Sequence, residues 1–224
     1  MEKNDGITLF QKKDQTCYFS HCVSRGEFFG DVAASKIKRL SRRYIGGKIL
    51  DIGAGSGALI DILPKGAIGM DLSPKHPAII KGDIGQMPFD DETFDTVFAI
   101  EVLEHLDEDT LKYGLKEASR ILQIGGNFII TVPFKEDLKA NMVICPKCGI
   151  HFHKVGHVHS FSQDSLTILL KNAGLMIKTV KVLPLGIMAR YPFVKHFLFF
   201  LEFFFPSVSK NIFMVATKYA SNNK

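Results

Sequence analysis

The chain has 224 residues, of which 46% are hydrophobic and 23% charged, so it is long enough to bury a large core and too apolar to be wholly disordered. No run of about 18 apolar residues occurs, which excludes a conventional membrane span. The net charge of +5 is uneven: residues 51–110 carry thirteen acids against three bases, and the flanking segments are basic. An acidic centre suits a cationic ligand, although a solvated surface accounts for the same pattern.

Residues 1–13 are polar and lack an apolar stretch, so a secretory leader is not expected. From Ser24 to Tyr44, Phe28, Val32, Ile37 and Leu40 fall near helical spacing. Lys48 to Ile52 reads as a buried strand ending in glycines. A helix is expected from Gly57 to Leu63, stopped by Pro64. Short strands follow at 67–71, 78–83 and 93–100, then a helix at 109–122 closed by Gly125-Gly126, and a strand at 127–132. Residues 133–160 break the rhythm with Pro, Cys and His. A helix at 165–172, a strand at 175–183 and a last strand at 211–218 complete the chain. Strands alternating with helices imply a parallel sheet with helices on both faces.

The segment Asp51-Ile52-Gly53-Ala54-Gly55-Ser56-Gly57 joins a strand to the next element. Glycines there admit positive φ and close approach of a ligand, and a following helix N-terminus would attract an anion. Asp71 ends the next strand and is placed to accept ribose hydroxyls. Gly53-x-Gly55-x-x-Ala58 also satisfies a permissive dinucleotide fingerprint, which leaves a nicotinamide reading open on the loop alone. Asp51 before the loop, Asp83 after the third strand, and Glu101-Val102-Leu103-Glu104-His105-Leu106 after the fourth favour a cationic, amino-bearing ligand.

The motifs ILDIGAGSG, GMDLS, GDIGQMPFDDETFDTVFAIEVLEHL and RILQIGGNFIITVP together resemble the class I S-adenosylmethionine-dependent methyltransferases, over roughly residues 45–183 plus the last strand. The chain reads as one domain over 1–224, with an N-terminal helical lid (1–44), a small Cys/His-rich insert (133–160) and a Phe-rich segment (186–208). The resemblance implies an α/β fold: a Rossmann-like seven-stranded sheet, helices on both faces, and the last strand antiparallel. It further implies that Asp51, Gly53, Ala54, Gly55 and Gly57 cradle the methionyl end of the cofactor. Asp71 and Leu72 would serve the ribose, Asp83 and Ile84 the adenine, and Glu101 and Val102 the floor near the sulfonium.

Transfer from a sulfonium mainly needs alignment, and an oxygen nucleophile also needs a base or metal to lose its proton. Glu101-x-x-Glu104-His105 places two carboxylates and an imidazole where a helical turn would gather them around a divalent ion. The pattern resembles the ubiquinone-biosynthesis O-methyltransferases and the small-RNA 2′-O-methyltransferases, whose metal is completed by a downstream histidine; His157 or His159 would take that part. A competing set, Cys145-x2-Cys148-x4-His153-x3-His157, can close a tetrahedral zinc site. The two sets compete for His157. His157 or His159 is the expected base, with His105 next.

Ser35 to Lys48 holds six Lys/Arg without aromatic interleaving, so nucleic acid is not the expected partner. Residues 193–205 hold seven phenylalanines, which suit core packing, a peripheral membrane contact or a greasy acceptor. The expected activity is O-methylation of a small-molecule or lipid-linked acceptor in the cytoplasm, with membrane association through the Phe-rich segment. RNA 2′-O-methylation and a non-catalytic cofactor-binding partner subunit are the alternatives.

Overall fold

A computed structural model describes residues 29–144, 146, 149, 151–185 and 210–220. Seven strands form one sheet: β1 (Ile49–Ile52), β2 (Ile68–Asp71), β3 (Ile79–Lys81), β4 (Phe94–Ile100), β5 (Leu122–Pro133), β8 (Leu175–Leu183) and β9 (Asn211–Lys218). The strand order is β3-β2-β1-β4-β5-β9-β8. β1 to β5 pair parallel, and β9 runs antiparallel between β5 and β8. The expected seven-stranded sheet with its last strand antiparallel is therefore the observed one.

The central strands are buried on both faces, and side-chain alternation sorts them into two cores. Val97, Ala99, Phe128, Ile130, Ile212 and Met214 face helices α2 (Glu108–Ile121) and α3 (Gln163–Asn172), through Leu111, Leu115, Leu166 and Leu170. Phe98, Ile129, Phe213 and Val215 face α1 (Phe29–Ser41), through Ala33, Ala34 and Ile37. The described part of the expected N-terminal lid thus packs on the sheet. Local chemistry starts the helices: Asp107 accepts the Thr110 N–H at the start of α2, and Ser162 and Ser165 form a reciprocal capping box on α3.

Two expectations need correction. No α-helix forms over 57–63; only a 3-10 turn, Ile60–Ile62, does. Gly57 sits at φ +89° and Pro64 follows seven residues later, leaving too short a window to recover the cost of nucleation. Any anion-binding N–H groups must then come from the loop. Gly125-Gly126 does not close α2 either. The chain turns directly into β5 at Leu122, and the glycines lie where the β4–β5 register shifts between Phe94 and Thr96. The segment 133–160, read as irregular, contains a hairpin of β6 (Met142–Ile144) and β7 (His151–His153).

Candidate active site

Because β1 to β4 run parallel, the loops after them open on one edge of the sheet. The order reverses beside β1, and the loop after β1 meets the loop after β4 there, at the usual ligand crevice of such sheets. The approach is close: a Cβ on Gly53 would lie 2.5 Å from Val102 Cγ2, and Gly53 has φ +67°. Any side chain at position 53 would collide with Val102 and push the two loops apart. Gly55 is also at positive φ.

Asp71 ties this loop together. Its Oδ2 accepts the Gly55 N–H at 3.0 Å and its Oδ1 accepts the Ser73 N–H at 2.8 Å. The N–H groups of Gly53 and Ala54 both donate to the Met70 carbonyl, at 2.8 and 3.2 Å. Leu72 is half-buried in the bend after β2. Asp83 Oδ1 accepts the Gly85 N–H at 3.0 Å. The Ile84 side chain is buried under α2, where Gly114 leaves room for it, so only its backbone faces the crevice edge. Asp51 is 3% exposed, and burial, with the Asp71 charge second, pushes its carboxyl up to about 8.

A second group of side chains closes the crevice. Glu101 takes φ +54°, a left-handed conformation that a non-glycine residue adopts at a cost, and its Oε2 accepts the Asn211 Nδ2–H at 2.9 Å. Burial raises the Glu101 carboxyl to about 7. Glu104 is fully buried, and neither of its carboxylate oxygens has a hydrogen-bond partner. Burial, then the Glu101 charge, holds its carboxyl well above the ordinary range. His105 is pushed down to about 3, first by burial and then by His157.

The backbone brings His157 opposite this turn. The Glu104 carbonyl accepts the Val158 and His159 N–H groups at 2.8 and 3.2 Å, and the Gly156 carbonyl accepts His105 Nδ1–H at 3.2 Å. The His105 and His157 ring centroids lie 4.7 Å apart. Glu104, His105 and His157 each offer one ligand atom, all within 4.8 Å of one another. Glu136, His153 and His157 form a second such group. His159 Nε2 is buried without a hydrogen-bond partner, and burial lowers that ring's affinity for a proton.

The expected downstream histidine is thus beside Glu104 and His105. His153 sits at the base of the hairpin, paired with Met142, and Cys145 and Cys148 lie outside the described residues, as does the whole segment 186–208. Glu136 and Asn211 were not anticipated. No motif marks either one, and Asn211 reaches Glu101 only because β9 runs antiparallel and begins where β5 ends.

The strand order, with its reversal beside β1, is that of a Rossmann-like α/β sheet. Residues 50–130 match the family described as "Methyltransferase domain". The chain is 27% identical over 192 residues to an uncharacterised protein of Methanocaldococcus jannaschii, covering 73% of this chain and 74% of that one. It is 28% identical over 154 residues to a Mycolicibacterium smegmatis protein named a probable S-adenosylmethionine-dependent methyltransferase, covering 63% of this chain and 56% of that one. The structure of the 1,6-didemethyltoxoflavin-N1-methyltransferase of Burkholderia thailandensis shares the fold, with a TM-score of 0.63 at 13% identity over 97% of this chain and 93% of that one. The chain is a class I S-adenosylmethionine-dependent methyltransferase.

Proposed function

We propose that the enzyme methylates an oxygen of a small-molecule or lipid-linked acceptor, at a site where Glu104, His105 and His157 hold a divalent cation. The observation that carries this reading is Glu104, a fully buried carboxylate with two unpartnered oxygens facing two imidazoles. An isolated buried carboxylate is costly, and a cation satisfies it directly. Two imidazoles and a carboxylate suit Zn²⁺, Mn²⁺ or Fe²⁺ rather than Mg²⁺ alone. The bound cation would supply Lewis acidity that lowers the pKa of an acceptor hydroxyl.

Two features support S-adenosylmethionine as the cofactor: Gly53 lets the loop after β1 pack directly against Val102 in the loop after β4, and acids stand at or just beyond the ends of β1, β2 and β3. That cofactor supplies a methyl group already activated on a sulfonium. In this reading Asp51 meets the methionyl ammonium, and Gly53, Ala54, Gly55 and Gly57 lie along the methionyl chain. Asp71 and Leu72 serve the ribose, and Asp83 with the Ile84 backbone the adenine. Glu101 and Val102 lie below the transferred methyl. With His105 and His157 engaged as ligands, His159 is the side chain left to take the acceptor proton. The alternative zinc set of Cys145, Cys148, His153 and His157 is less favoured. His153 Nδ1 accepts the His157 backbone N–H, so a neutral His153 keeps its proton on Nε2, the nitrogen a metal would need.

The acceptor class rests on composition alone: seven phenylalanines fall between positions 193 and 205, which suits a greasy acceptor or a membrane surface. The test is transfer of a labelled methyl to a phenol, to a prenylated phenol in micelles and to the 3′ end of a short RNA duplex, each with chelator or with Mn²⁺, Co²⁺ or Zn²⁺. Cation-dependent labelling of a phenol supports the proposal. Labelling undiminished by chelation, or confined to RNA, overturns it.

Asp51 gives a separate expected outcome. Its carboxyl, raised to about 8, is largely protonated at pH 7 in the free protein. An ammonium placed beside it favours the ionised form, so cofactor binding should release up to about one proton at pH 7, and the release should shrink as the pH rises past about 8. Calorimetry in buffers of different ionisation enthalpy reads this directly. Asp51→Asn should abolish the release, and a wild-type binding enthalpy independent of buffer would contradict the placement.

A further inference from the structure

Two overlapping clusters could take a cation, and they share His157. The hydrogen bonds around the rings decide between them. A carbonyl only accepts, so the contact between His105 Nδ1 and the Gly156 carbonyl puts the His105 proton on Nδ1 and the lone pair of the neutral ring on Nε2. Glu136 Oε2 contacts His157 Nδ1. A carboxylate in contact with a neutral imidazole nitrogen accepts its N–H, so His157 also carries its proton on Nδ1 and presents Nε2 as its ligand atom. His153 is the opposite case. Its Nδ1 accepts the His157 backbone N–H at 3.0 Å, which leaves the proton on Nε2, a buried nitrogen 3.4 Å from Glu136 Oε1 with no hydrogen bond to it. Coordination through Nε2 would force a proton onto Nδ1, against that backbone donor. The second cluster is therefore not a ligand set.

We infer that Glu136, steadied by Asn141, is a positioning residue that holds His157 in the tautomer and orientation a cation at Glu104 and His105 requires. This rests on the cation reading of the site. Glu136 leaves the end of β5, and its Oε1 accepts the Asn141 Nδ2–H at 2.9 Å. Asn141 immediately precedes β6, so the hairpin fastens to this carboxylate at the base of its first strand. The arrangement follows the general pattern in which a ligating histidine gives its second N–H to a carboxylate or carbonyl: Glu136 serves His157 as Gly156 serves His105. It also links the insert to the site, since the residues that order the hairpin are the ones that orient the ligand.

The experiment uses the full chain and Co²⁺ as the probe, with wild type, Glu104→Ala, Glu136→Gln and Glu136→Ala. Co²⁺ affinity is read by calorimetry and the d–d absorption band, and the imidazole tautomers by ¹⁵N NMR of the metal-free protein. Wild type should show Nδ1–H at His157 and bind Co²⁺, and Glu104→Ala should abolish binding. Glu136→Ala should weaken Co²⁺ about 10–100-fold and move His157 towards the Nε2–H tautomer. Glu136→Gln, which keeps an acceptor oxygen, should fall between them. Failure of wild type to bind Co²⁺ would sink the cation reading itself. Normal Co²⁺ binding and an unchanged His157 tautomer in Glu136→Ala would sink the role of Glu136 and leave the cation reading standing. S-adenosylhomocysteine affinity, expected to stay within about twofold in both Glu136 variants, reports whether the fold is intact.

Discussion

Glu104→Met is expected to make the metal-free protein more stable and the enzyme inactive. The wild-type carboxyl is fully enclosed, and neither oxygen has a partner. A methionine of similar volume removes the unsatisfied group without opening a cavity, which should gain about 1–3 kcal/mol. For a chain of this size that amounts to roughly 2–4 °C in Tm per kcal/mol. The pH dependence has a definite sign. Burial raises the Glu104 carboxyl in the folded state, so the unfolded chain loses its proton first as pH rises. The ionisation-linked part of the penalty in wild type is absent below about pH 4 and grows above it, on top of the cost of the unpaired oxygens, and the advantage of the variant should grow in the same direction. Cations should reverse the ranking. A ligand at 100 times its Kd stabilises by about 2.7 kcal/mol, and only wild type can profit. Thermal melts with chelator and with Co²⁺ give both halves of the result. A variant less stable than wild type in chelator would mean that Glu104 has a partner already, and the case for a cation would fall with it.

The division between what was legible and what was not follows the range of the interactions. β1, β8 and β9 read directly because each is a run of apolar and β-branched residues bounded by Gly, Pro or polar residues. The glycine loop and Asp71 were legible for a similar reason: the loop and its carboxylate are separated by 16 residues of one β-loop-β unit, as the Gly55 to Asp71 hydrogen bond shows. The helix after Gly57 failed because periodicity says nothing of the length available before a proline. The β6–β7 hairpin has three-residue strands, too short for any period to register. Glu136 and Asn211 carry no local signal at all. Asn211 lies 110 residues from Glu101, and its role depends on the reversed direction of one strand. His157 was legible as a residue type but not as a tautomer, since the groups that set its proton come from another loop.

Asp71→Ala should cause the largest loss of cofactor affinity of any substitution in the glycine loop region. The carboxylate spends one lone pair of each oxygen on the backbone, at Gly55 and Ser73. An ionised carboxylate offers about four lone-pair sites, so two remain for the ribose hydroxyls. Alanine removes the ribose acceptors and also unties Gly55, the residue whose positive φ shapes the crevice. Losing the ribose contacts alone should cost about 1–3 kcal/mol, roughly 5–150-fold in Kd. Loosening the loop adds to that. Asparagine should be nearly as damaging, because its amide turns a donor towards one of the two backbone donors. The two contributions separate by titrating wild type and Asp71→Ala with S-adenosylhomocysteine and with its 2′-deoxy analogue. If the ribose rests on Asp71, wild type discriminates between the two ligands and the variant does not. If Asp71 only organises the loop, both proteins discriminate equally and the variant binds both weakly. Unchanged affinity in the variant would place the cofactor away from the end of β2, and the crevice beside β1 would lose its claim to the sulfonium.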